Sequence, residues 1–163
     1  VDDPQDDDPG HPRYWQNLFG EASTPFEAEP DQPVALDTLR ALYSAVLSNY
    51  DFTCAMTGAR FAPPSEFLHD ELAIAAIRPL TAGGMLHVSN FLCLERHAAE
   101  AFRDGYISVG PGLELIVDLS QLDPELLERL NPLGKLTLPQ VEIAHPDRTA
   151  IAFHREHVFL GHL

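Results

Sequence analysis

Leu36, Leu39, Leu42, Tyr43, Val46 and Leu47 recur at three- and four-residue intervals. That period fits one face of a helix, so an amphipathic helix is expected over residues 36–47. Residues 51–58, closing on Thr57 and Gly58, predict a short strand that ends in a glycine turn. After Pro63 and Pro64, the apolar run over 71–77 predicts a strand stopped by Pro79. Gly83 and Gly84 mark a loop, and residues 88–92 a second short strand. Residues 94–102 carry good helix formers, with Gly105 as the stop. Segments 106–109 and 113–117 flank Gly110-Pro111-Gly112 as a hairpin. Asp123 as cap and Pro124 in the first turn open a short helix running to Leu130. A last helix is expected over 147–159, and there is no internal repeat. The fold class is α+β.

The first 31 residues break this patterning. They are rich in Asp, Glu and Pro, with the run Asp6-Asp7-Asp8, and are expected to form a flexible tail, residues 1–12 above all. Tyr14, Trp15, Leu18 and Phe19 interrupt it, an aromatic knot fit to dock on the domain or on a partner. One domain is therefore expected over 32–163, ordered from about Val34, and at 163 residues the chain can bury a sizeable core. That the chain opens on Val1 is compatible with a longer polypeptide. No stretch approaches the roughly 20 apolar residues of a membrane span, and no basic-then-apolar leader is present. Cytoplasmic location is the expectation. Cys54 and Cys93 cannot make a paired-CxxC zinc site; a disulfide between them is open, but two buried thiols are expected.

Charge narrows the function. The net charge is −15; residues 1–31 hold nine acids and one base, or −8, which leaves −7 on the rest. The acidity is not confined to the tail. Duplex DNA is held mainly through Lys and Arg on phosphates, so unaided duplex binding is not expected of this surface.

Strand, glycine loop, strand and helix succeed one another between residues 71 and 105. The motifs kept there and around it are Tyr50, Cys54-Ala55, Thr57-Gly58, Ala75, Ile77-Arg78-Pro79, Gly83-Gly84, Asn90, Leu92, Leu94, Phe102, Gly105 and Ile107-Ser108. Leu138-Pro139 and the run His154-Arg155-Glu156-His157-Val158-Phe159 follow. In order and spacing these resemble the HNH endonuclease family found next to bacterial restriction systems, over most of the chain. The resemblance implies a ββα-metal finger embedded in a small mixed domain with flanking helices. It also implies a site in which a first-strand histidine activates water, an asparagine orients it, and a helix histidine with a neighbouring acid holds a divalent cation.

The departures fall on that chemistry. The first histidine would stand at Ala76, whose methyl group takes no proton. The helix ligand would stand at Ala99, and the acid after Phe102 is Arg103. Asn90 remains, followed by Phe91 where relatives have glycine. Nearby residues offer weak substitutes. His87 lies three residues before Asn90 in the finger loop. His97 is two before Ala99, about 200° around a helix, and should face away. His69, Asp70 and Glu71 form a polar cluster before the first strand, and Glu95 and Glu100 are expected on the solvated helix face. His154 and His157 share a predicted helix face but lack a third ligand at a recognisable spacing, so packing and hydrogen bonding are expected of them. Cys54 is expected in the core, and no glycine-elbow motif surrounds a serine.

The expectation is a catalytically degenerate nuclease-like domain that acts as a binding or scaffold module for a protein partner, with no cofactor. The enzyme alternative is a metal-dependent DNA endonuclease rebuilt around His87, His97 or Asp70, needing Mg, Mn, Ni or Zn. The third reading is an acidic DNA mimic that occupies a partner's DNA channel.

Overall fold

The computed structural model describes residues 36–161. The expectations for the acidic tail, its aromatic knot and the boundary near residue 32 lie outside these residues. The predicted first helix is present as α1 (Leu36–Asn49), and its stripe of Leu39, Leu42, Tyr43, Val46 and Leu47 is buried. The helix ends where Asp51 and Phe52 take positive φ and Phe52 N–H turns back to Leu47 O at 2.9 Å. That local winding is why residues 51–58 are not the expected strand. They form a tight knuckle instead, closed by Gly58 N–H to Cys54 O at 2.9 Å and Cys54 N–H to Ala59 O at 2.8 Å. Thr53 and Arg60 meet only in an isolated bridge.

The first apolar run forms β1 (Leu72–Ala76). The second strand, expected over 88–92, starts three residues later as β2 (Phe91–Glu95). The shift has a local cause: Val88–Asn90 is wound into a 3-10 turn whose Ser89 N–H bonds to the His87 ring. The strands pair antiparallel from Leu72↔Glu95 to Ala76↔Phe91. All five β2 residues are buried, as a strand covered on both faces should be. The chain passes directly into α2 (Arg96–Arg103), which packs back on β1 and β2 while α1 packs on the same two strands. Ala98, Ala99, Ala101 and Phe102 are its buried face; the alanines allow close approach and the phenylalanine fills the core. Gly105, at φ 83°, ends this segment as expected. A Cβ there would stand 2.2 Å from Val158 O, so only glycine fits.

The predicted hairpin is β3 (Ile107–Val109) with β4 (Leu115–Val117), paired antiparallel. The capped short helix is α3 (Pro124–Arg129), with Asp123 accepting from Glu125 N–H. The last helix divides: α4 (Arg148–Phe153) gives way to a wider π-type turn at His154–Val158. The domain is thus mixed α+β, with four helices and two two-stranded antiparallel sheets among the described residues. No described helix is long and apolar enough to cross a membrane.

Candidate functional site

The hairpin of β1 and β2, with α2 after it, carries the positions singled out in the sequence. Ala76 closes β1, half-buried, opposite Phe91. Asn90 lies one residue before β2, and its carbonyl accepts from Ile77 N–H at 2.8 Å, so it sits beside the end of β1. Ala99 is buried on the α2 face that meets the hairpin.

Asn90 is occupied by its own loop. Its Oδ1 accepts from Arg78 N–H at 2.9 Å, while Nδ2 donates to Arg78 O and Met85 O, both at 3.0 Å. The side chain is buried and ties the two ends of the 78–85 loop together. Gly84 completes that closure: a Cβ there would be 1.9 Å from Arg78 O. Arg78 continues outward, bonding Ala82 O through Nε and lying 4.5 Å over the Phe153 ring. Arg103, standing where the resemblance places an acid, is exposed in the last turn of α2.

The substitute residues are dispersed. Asp70 is exposed just before β1, at the end of the hairpin remote from Ala76. The four strand steps from Leu72 to Ala76 alone span roughly 13 Å, and Asp70 lies beyond Leu72. It borders a surface cleft of ≈ 490 Å³ shared with Glu66, Glu71 and His69. His69 is buried and structural: Nδ1 accepts from the N–H groups of Glu71 and Leu72, and Nε2 meets Ala62 O. His97 points to α3, 3.3 Å from Asp123 and 3.5 Å from Arg129. His87 Nδ1 is committed to Ser89, and Nε2 is its remaining nitrogen. Among the described residues no three His, Cys, Asp or Glu side chains converge as an ion would require.

Two expectations need correction. Glu95 is not on the solvated face. It is buried, accepts from Thr57 Oγ1 at 3.0 Å, and pairs with Arg129, so it fastens the 54–58 knuckle and α3 to the start of α2. Its place at the strand-to-helix junction, ahead of the solvent-facing turn of α2, was the available signal. His154 and His157 do not share a face, and the expected packing and hydrogen bonding fall chiefly to His154. His154 is buried, stacked 3.8 Å from the Phe102 ring; Nε2 donates to Phe102 O at 2.8 Å and Nδ1 accepts from Ser108 at 2.7 Å. His157 is exposed against Phe153.

The thiols are free and buried, as expected. Burial foremost, with Cys54 nearby, pushes the Cys93 thiol upward, so it stays protonated and is a poor nucleophile. Burial likewise raises Tyr50, whose hydroxyl has no hydrogen-bond partner among the described residues.

Burial lowers His154 to about 4, against a partly opposing hydrogen bond to Phe102 O. The unfolded chain therefore takes up a proton near pH 6.5 that the folded chain refuses until about pH 4. Stability should fall as pH drops through that window, by about 3 kcal/mol in total. Urea unfolding of wild type and His154→Gln between those limits checks this: the acid slope should flatten in the variant.

No protein-family model matches this sequence, and no curated protein matches it. Among solved structures, the chain is similar to a modification dependent TagI restriction endonuclease. The TM-score is 0.55 and the identity 21%, over 72% of this chain and 37% of that one. The chain therefore spans well under half the length of that protein. At this identity the likeness concerns the fold alone.

Proposed function

We propose that the hairpin and α2 are a ββα-metal finger emptied of its chemistry, kept as the scaffold of a binding domain for a protein partner. One observation carries this reading: where the resemblance expects histidines, the residue that closes β1 is Ala76 and a buried residue of α2, on the face against the hairpin, is Ala99. A methyl group neither accepts a proton from water nor offers a lone pair to a cation. The placement of His97 and Asp70 supports the same reading against a rebuilt site, since His97 lies against Asp123 and Asp70 is exposed before the start of β1. The acidic surface agrees with a protein partner better than with duplex DNA held unaided.

The purified chain should not cleave plasmid or linear DNA, with or without base modification, in Mg²⁺, Mn²⁺, Ni²⁺ or Zn²⁺. General-base action alone is typically worth about 10²–10⁴ in rate, and loss of the metal removes charge neutralisation as well. Cleavage that disappears in His87→Ala, His97→Ala or Asp70→Ala, with the fold intact, would replace this reading with a relocated nuclease site.

A further inference from the structure

We propose that the aromatic segment Tyr14-Trp15-Gln16-Asn17-Leu18-Phe19 docks within its own chain on an apolar patch formed by Met85, Leu86, Val141 and Ile143. The patch comes from two segments distant in sequence. Met85 is 68% exposed, Ile143 67%, Val141 46% and Leu86 36%. They belong to one region because the 3-10 turn at Val88–Asn90 packs on the one at Glu142–Ala144. Asp147 N–H also bonds Ser89 O at 2.8 Å, and Asn90 holds Met85 O from behind. Single exposed leucines such as Leu119 are ordinary on a protein surface; a cluster across two adjoining turns marks a contact face.

The occupant is argued from the chain outside the described residues. Residues 1–31 are polar and acidic, and 14, 15, 18 and 19 are where bulky apolar residues gather. Burying such a cluster calls for an apolar surface. Sixteen residues separate Phe19 from the start of α1. As a flexible coil they span roughly 20–25 Å, and up to about 55 Å when extended. A domain of this size has a radius of gyration of about 14 Å, so the tether reaches its whole surface. Tethering raises the effective concentration of the segment to about the millimolar range, above what a free partner commonly reaches. The tail carries −8 and the remainder −7, so the contact rests on apolar burial and not on charge.

The chain has one tryptophan, Trp15, so its fluorescence reads this contact directly. In the full chain, Trp15 should show shielded, blue-shifted emission, unchanged on dilution. Met85→Glu with Ile143→Glu should shift the emission red and raise acrylamide quenching several-fold, with circular dichroism and Tm essentially unchanged; both side chains are mostly exposed, so the fold tolerates them. Leu119→Glu, on another turn, should leave the signal as in wild type. Emission of a solvated indole in wild type would overturn the proposal. So would shielding that survives the double substitution, or shielding lost on dilution, which would place the segment on a second copy.

Discussion

Asn90→Ala is expected to lower the unfolding free energy by roughly 3–5 kcal/mol, a large share of what a small domain has. Three backbone groups depend on that side chain: Arg78 N–H, Arg78 O and Met85 O. They lie around a buried residue, where each unsatisfied group costs about 1–3 kcal/mol. Asn90→Asp should be nearly as damaging, because the carboxylate keeps an acceptor for Arg78 N–H but loses both donors. Gly84→Ala should act in the same direction, since its Cβ meets Arg78 O. Urea denaturation measures all three. A loss below about 1 kcal/mol for Asn90→Ala, the net worth of one ordinary hydrogen bond, would mean that the loop is not held this way.

Restoring histidines at both positions, Ala76→His with Ala99→His, should give a domain that is weaker alone and strengthened by metal. Ala99 is buried under the hairpin, and enlarging a packed position costs about 1–3 kcal/mol. Ala76 is half-buried, so its substitution should cost less. On the proposed finger geometry, the two imidazoles would then bind Ni²⁺ or Zn²⁺. A free ion at a hundred times its Kd stabilises by about 2.7 kcal/mol, a rise of several degrees in Tm for a domain of this size. Each single variant should show little of this rise. A folded double variant whose Tm ignores metal would show that the two positions do not meet as a site.

Much of the fold was legible because its determinants are local. The stripe of α1, the Asp123-Pro124 start of α3 and the stop at Gly105 each rest on residues within a turn or two. The misplacements arise where distant groups decide. Residues 51–58 have strand-like composition, yet Ala55 and Met56 spend backbone hydrogen bonds on Cys93, Asn131 and Thr137, which draws them into a docked knuckle. Val88 and Ser89 look extended until the His87 ring binds Ser89 N–H. The last helix widens where His154 turns in to meet Ser108 and Phe102, 46 and 52 residues away. Ala76 and Ala99 were singled out from spacing alone, one on β1 and the other on α2. The burial of Glu95 and the loop clamp by Asn90 were not, because their partners Arg129 and Met85 carry no pattern that pairs them in sequence.

Whether the finger has been emptied is tested most directly by calorimetric titration of Ni²⁺ and Zn²⁺ into the wild-type chain, since metal binding, unlike cleavage, does not depend on choosing the right DNA. The account predicts no saturable one-to-one binding in wild type, with such binding gained by Ala76→His with Ala99→His. Tight one-to-one binding by wild type that is lost in His87→Ala would contradict it and place a working metal site in the finger.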